Sequence, residues 1–388
     1  MGNNFIQQFR QFWAKPRNVF WLGFIVTIAA ASIEVLRGRA ENFVDFCDAT
    51  QNFWNGISSY TDSYVQAHGR YFIYSPVFNV LFAPFAYLPR LLGAYAWDLM
   101  NYSMLMLAIR HLPAHFQKHK AAIMGFLLLI VGQSVFCFQY NLTVAWVFLW
   151  AYILLEKDKG FWAVMLIMLS ATTKIYGAAE LALLLCYPRM WRNFGYAIGW
   201  GVFFVLLPAV KTGVPDLFTW YADWFHQLAD HHESTGLYPN IIFLPPFDRW
   251  FLPNMRLVQL VGLAILSGLF FWRKSRWHDF DFRTQVTGVL MGYVVLFSEA
   301  AETHTYVIAL AGYMLCWYTW DKHTTLDRIL YWANIIFMGI MPIDMFCPTK
   351  IHNFVNGVLY IDVYVYVFMY ATMVYRAVAS GKRKEIAE

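Results

Sequence analysis

The sequence predicts an all-helical integral membrane protein, and three observations carry that prediction. Only 14% of the 388 residues are charged, against about 25% in an average soluble chain, while 59% are hydrophobic and 20% aromatic. Apolar stretches long enough to cross a bilayer, about 20 residues as helix, recur along the chain. The lysines and arginines gather in the short connectors between those stretches, as cytoplasmic loops do. No polar block is long enough for a soluble domain, so residues 1–388 read as one polytopic membrane domain.

The first apolar run, Asn18 to Leu36, follows Arg10, Lys15 and Arg17. It is too long for the core of a signal peptide and reads as an uncleaved first span. Further spans are expected near 91–110, 121–138, 142–156, 160–172, 175–188, 193–211, 255–273, 284–298, 304–320, 328–346 and 354–375. Basic connectors lie at Arg110–Lys120, Arg189–Arg192, Arg273–Arg283, Lys322–Arg328 and beyond Arg376. They fall on one side only if residues 74–89 do not span. Pro76, Pro84 and Pro89 punctuate that piece, and proline interrupts helical hydrogen bonding. It fits an interfacial helix on the far side. Twelve spans then result, with both termini cytoplasmic. The far side holds 37–90, 212–254, the Ser298–His304 connection and a turn near Cys347–His352. The net charge of +5 belongs to the cytoplasmic loops, and no nucleic-acid-binding pattern appears. The five cysteines are unpaired in spacing, which supports neither a zinc site nor a disulfide framework.

Polar residues in the far-side segments are the candidates for chemistry. In the stretch 37–90, Glu41, Asp45 and Asp48 are spaced by four and three, so a helix there places them on one face. Carboxylates on one face repel, which raises at least one pKa and suits a general base. A solvated acidic loop is the plainer alternative. Glu302 and His304 stand at the start of a span, where ionisable groups are costly and often functional; a polar helix start accounts for them equally. The apolar run 160–188 breaks at Ala171-Thr172-Thr173-Lys174 and reads as two short helices with Lys174 at their tip. Lys174 there can hold a phosphate or reach to the interface. The loop 212–254 is rich in Trp, Asp, His and Pro. His226, Asp230, His231 and His232 match no zinc motif, and no metal is expected. Asp98 and Asn101, inside a span, read as a polar pair joining helices. Asp279 and Asp281 sit in a basic loop with no nucleotide-binding domain around them.

Asn42-Phe43-x-x-Phe46-x-x-Ala49, then Gly56 and Tyr60, then Tyr74-Ser75-Pro76 and Ala83-Pro84, resembles the order of motifs in glycosyltransferase family 87. The corner Lys174-Ile175-Tyr176, the pair Asp230-His231 and the stretch from Ala301-Glu302 to Tyr306 are similar too. The resemblance implies a GT-C fold in a bacterial inner membrane, with an extracytoplasmic active site. It implies an inverting transfer of a hexose, mannose or a relative, from a polyprenyl phosphate to a glycolipid or glycan. It implies no cofactor beyond that donor and no partner but donor, acceptor and membrane lipids. The family's first-loop aspartate falls on Asn42, an amide that cannot act as a base. The role passes to Asp45, one turn on along the same face, or to Glu41, Asp48 or Glu302. A three-residue deletion would align Asp45-Phe46 instead, but the spacing to Gly56 and Tyr60 opposes it. Lys174, Arg70 or Arg256 would stabilise the leaving phosphate, and Asn42, Tyr74, Asp230, His231 and His304 would line the substrate site. A transporter or flippase of lipid-linked sugars is the other reading. Such proteins usually show repeats and helices broken at the bilayer midplane, which this sequence lacks.

Overall fold

A computed structural model describes residues 2–234, 255–298, 302–343 and 346–379. Every regular element among them is helical. The chain divides into two compact units, Met1–Ala178 with Trp191–Gly236, and Ala179–Met190 with Leu237–Glu388.

The first unit begins with α1 (Gly2–Trp13) and α2 (Pro16–Leu36). Proline opens α2 at its first position, where the missing N–H costs nothing. α2 has 21 residues, about 31 Å of helix, which matches the hydrocarbon core. α3 (Glu41–Asn55) comes next, with Glu41 in its first turn, where the helix dipole favours an acid. It ends at Gly56 in the left-handed conformation. α4 (Asp62–His68) is capped by Thr61, whose hydroxyl accepts from the Tyr64 N–H. α5 (Pro76–Ala86) starts with the Ser75 cap and Pro76.

α5 turns through 117° into α6 (Arg90–His111). The chain at 74–89 is therefore a short helix set at a steep angle to the next span. α7 (Lys120–Phe136), α8 (Asn141–Glu156) and α9 (Gly160–Thr173) complete the main packing. Asn101 of α6 accepts from Thr143 Oγ1 at 2.6 Å and Trp146 Nε1 at 2.9 Å, both on α8. It joins helices as expected. Asp98 beside it is fully buried and its Oδ2 has no hydrogen-bond partner.

Three differences from the sequence expectations stand out. The segment expected as a second short helix after Lys174 is a run of 3-10 turns, Ile175–Cys186. The expected loop beginning at 212 is helical as far as it is described. α10 (Met190–Leu206) bends by 95° into α11 (Ala209–Ser234). Gly213 takes the positive φ that reopens the helix, and Pro215 sits in the new first turn, where proline is tolerated. Finally, among the described residues two single helices, α2 and the last, are long and apolar enough to cross a membrane, or up to four if each bent pair counts as one. Shorter apolar helices of 10–17 residues lie at Lys120–Phe136, Asn141–Glu156, Gly160–Thr173, Gly177–Cys186 and Leu257–Trp272.

In the second unit, α12 (Met255–Trp272), α13 (Phe280–Leu296), α14 (Tyr306–Trp317), α15 (Thr325–Asn334), α16 (Thr349–His352) and α17 (Ile361–Ala379) succeed one another. α13 and α14 approach so closely that a Cβ on Gly312 would lie 2.6 Å from the Gly288 carbonyl oxygen. Small residues at such a crossing are how membrane helices gain van der Waals contact. α15 and α16 each run on into a π-helix, Ile335–Ile340 and Asn353–Val358, and Asn356 donates to the Phe337 carbonyl between them.

Candidate active site

α3 carries the predicted acids on one face, and the end of α4 with the residues just after it brings His68 and Arg70 to them. Arg70 ion-pairs with Glu41. Its Nε lies 3.0 Å from Asp45 Oδ2, close enough for an ion pair but without hydrogen-bond alignment. Its NH1 reaches the Asn42 side-chain oxygen at 3.5 Å. One guanidinium thus spans three residues of the first two turns. Two residues earlier in the chain, His68 Nε2 lies 3.3 Å from Asp48 Oδ2. The His68 ring stacks on Tyr64 with centroids 3.9 Å apart. The Tyr64 hydroxyl in turn donates to the Asp45 carbonyl oxygen at 3.2 Å.

The acids differ in exposure. Glu41 and Asp48 face water, whereas Asp45 is 9% exposed. Burial raises the Asp45 carboxyl to about 6. Arg70 and His68 act against that rise, and Asp48 and Glu41 add to it. Burial also pushes the Tyr64 hydroxyl up, so Tyr64 stays a donor. Exposed ion pairs contribute little, about 0–1 kcal/mol; the Glu41 contact therefore serves mainly to aim Arg70.

The contacts of Asn42 account for its residue type. Its Nδ2 donates to the Cys137 carbonyl oxygen at 2.8 Å, while its oxygen faces Arg70. The amide donates and accepts at once here; an ionised carboxylate would set oxygen against oxygen at Cys137. The same turn after α7 holds Phe138 at a positive φ of 52°, and the Phe138 carbonyl accepts from Trp97 Nε1. Asn42 and Trp97 together tie α3 and α6 to one bend.

Tyr74 and Lys174 meet across the unit. The Lys174 Nζ lies 5.3 Å from the Tyr74 ring centroid, within cation–π range. The Ser75 hydroxyl donates to the Thr172 carbonyl at 2.5 Å, and the Ser75 N–H to the Thr173 carbonyl at 3.2 Å. Gly177 closes the corner, since a Cβ there would lie 2.4 Å from Ser170 Oγ. Tyr74 packs edge-on against Phe46 of α3, one residue from Asp45. Tyr60 donates to the Tyr74 carbonyl at 2.8 Å.

α11 lies over this stretch. Trp224 Nε1 donates to the Ile73 carbonyl at 3.1 Å, Gln227 Nε2 to the Ser59 carbonyl at 3.3 Å, and Ser58 to Asp223 at 3.4 Å. Trp220 packs on Phe53 and Tyr60.

The structure brings together Glu41, Asn42, Asp45, Asp48 and Arg70, and sets Tyr74 beside Lys174. Asp230 is exposed on α11. His231 and Arg256 have side chains outside the described residues. Glu302 and His304 form an ion pair in the second unit, where Glu302 also completes a capping box with Thr305. Tyr64 and His68 join the cluster without standing out as candidates in the sequence. Their spacing of four, with Arg70 two residues on, was the available signal. Among the described residues no cluster of three or more His, Cys, Asp or Glu forms a metal site.

The family model of glycosyltransferase family 87 matches residues 72–299, more than half of the chain. The chain belongs to glycosyltransferase family 87. The match takes in Tyr74, Lys174 and α11, and begins after the acids of α3. No curated protein matches the chain. Together the family and the apolar helices make it a membrane glycosyltransferase.

Proposed function

We propose that the chain transfers a hexose, mannose or a close relative, from a polyprenyl-phosphate donor to a glycolipid or glycan acceptor, on the extracytoplasmic face of a bacterial inner membrane. Asp45 is the general base. It takes the proton of an acceptor hydroxyl as that oxygen forms its bond to the anomeric carbon. The bond from that carbon to the phosphate oxygen breaks, polyprenyl phosphate leaves, and the configuration inverts. Arg70 and Lys174 are the cations for the leaving phosphate, and Tyr74 holds Lys174 in place. A lipid-linked donor accounts for a reaction centre framed by membrane helices.

The observation that carries this reading is the buried Asp45 carboxyl, raised to about 6 beside the Arg70 guanidinium. A base with that value is mostly ionised at neutral pH and yet accepts a proton far more readily than an exposed carboxylate. Glu41 and Asp48 are better exposed than Asp45 and lack its buried setting.

The test is transfer from radiolabelled polyprenyl-phosphate sugars in membranes carrying the wild-type chain or Asp45→Asn. Product from the wild type alone supports the assignment, with a loss of about 10²–10⁴-fold expected for a missing base. Equal product from both removes Asp45 from the role and passes it to Glu41, Asp48 or Glu302. No product from any donor sinks the lipid-donor reading, and sugar-lipid movement across vesicles without a covalent product would mark a flippase.

A further inference from the structure

From the stretch before the first span, we infer that α1 lies flat in the membrane surface that α2 enters, with its apolar edge among the acyl chains and its basic residues on anionic lipid headgroups. The partner is a lipid surface, and the inference stands apart from the transfer reaction.

Three observations place the helix there. First, α2 is long enough to cross the bilayer and starts at Pro16, so residue 15 sits at the bilayer surface. α1 has 12 residues, about 18 Å of helix, and cannot leave that neighbourhood. Second, the junction is braced. Asn18 Nδ2 donates to the Phe12 carbonyl at 3.2 Å, and the Lys15 N–H reaches the same carbonyl at 3.3 Å. Trp13 lies against Gly125 of α7. α1 is therefore docked on the spans at its end. Third, its faces are sorted. Along the sequence Phe5, Ile6, Phe9, Phe12 and Trp13 recur at spacings of one, three, three and one, and Gln7, Gln8, Arg10 and Gln11 fill the rest. That is the pattern of an amphipathic helix. Phe9 is 56% exposed and Phe12 40% exposed. Arg10, Lys15 and Arg17 are exposed as well. Exposed phenylalanines beside exposed cations, at a fixed depth, match the headgroup–acyl boundary and not bulk water. Each basic residue at an anionic leaflet adds about a fivefold preference for it.

The experiment uses the full-length chain in nanodiscs of phosphatidylglycerol. Photoreactive p-benzoylphenylalanine replaces either Phe9 or Gln7, which lie on opposite sides of the helix. Position 9 is expected to give phospholipid adducts at least about fivefold above position 7. Equal yields, or adducts from position 9 to a second copy of the protein, overturn the inference. The position-9 chain is then compared in phosphatidylcholine discs, and with Arg10→Ala, Lys15→Ala and Arg17→Ala together. Adduct yield should fall several-fold in both cases. A yield indifferent to charge overturns the headgroup contact. Both labelled positions are exposed, so neither replacement disturbs the packing of the spans.

Discussion

Asp45 carries two linked consequences of one burial. Its carboxyl binds a proton more tightly in the folded protein than in the unfolded chain, 6 against 3.8. The group's contribution to stability is therefore fully present below about pH 4 and is lost as pH rises through 6. At neutral pH the ionised carboxylate costs roughly 3 kcal/mol. Asp45→Asn should therefore melt higher than the wild type at pH 7.5, with the gap closing toward pH 4; a mutant that melts lower at pH 7.5 would show that Arg70 outweighs burial. In the wild type, transfer should rise with pH through about 6, and a flat profile from pH 5 to 8 would exclude Asp45 as base. Asn42 makes the complementary case. Asn42→Asp supplies the residue that the resemblance expects at this place but removes the donor to Cys137. Loss of about 1–3 kcal/mol of stability is expected, read as a lower melting temperature, with no gain in transfer. The spacing of Glu41, Asp45 and Asp48 was legible in the sequence because one helix generates it. The Arg70 bridge was not, because α4 and two turns set where that side chain arrives.

At the scale of elements, helix breaks were easier to read in the sequence than the conformation of the chain beyond them. The break at Pro76 and the polar corner at Lys174 were both visible, and the structure joins them through Ser75. The 3-10 path beyond Lys174 was not visible, since an apolar run looks alike in either helix type. The richness of 212–254 in Trp, Asp, His and Pro points to a loop, whereas residues 212–234 are helical. The signal against that reading was Trp220, Trp224 and Gln227, at spacings of four and three, all turned onto the first-loop segment. Trp224→Phe keeps an aromatic ring, though a smaller one, and leaves the Ile73 carbonyl without its donor. It should cost about 1 kcal/mol and lower transfer, because Ile73 adjoins Tyr74. Transfer unchanged in a mutant shown to be destabilised would mean that α11 supports the fold and not the site. Gly177→Ala tests the corner itself. A methyl 2.4 Å from Ser170 Oγ and 2.5 Å from the Ala171 nitrogen must displace backbone. A cost of about 1–3 kcal/mol is expected, visible as a lowered melting temperature.

For the whole molecule, the alternation of spans decides which face the α3 site occupies, and α5 is the element on which the count turns. The 117° bend between α5 and α6 leaves two possibilities. If α5 lies along the interface, α6 is the second crossing, and Arg110–Lys120 returns to the side of the N-terminus. If α5 crosses as well, that basic loop falls on the opposite side and the charge asymmetry is lost. α5 has 11 residues, about 16 Å of helix, half the hydrocarbon thickness. Its Pro76, Val77, Phe78, Asn79 and Phe82 are buried in the first unit. It packs against α3, so crossing would draw the acidic face of α3 toward the hydrocarbon, where each charge costs several kcal/mol. The basic connectors and the proline-punctuated break before α6, both legible in the sequence, thus favour one arrangement. Reporter fusions check it. A periplasm-active enzyme joined after Ile57 should be active, and one joined after Lys118 inactive. A cytoplasm-active fluorescent protein should show the reverse. Fusions after Arg273 and after Ala379 should behave like the one after Lys118. An active periplasmic reporter at Lys118 would place α5 across the membrane and remove the α3 acids from the face where lipid-linked sugars are proposed to react.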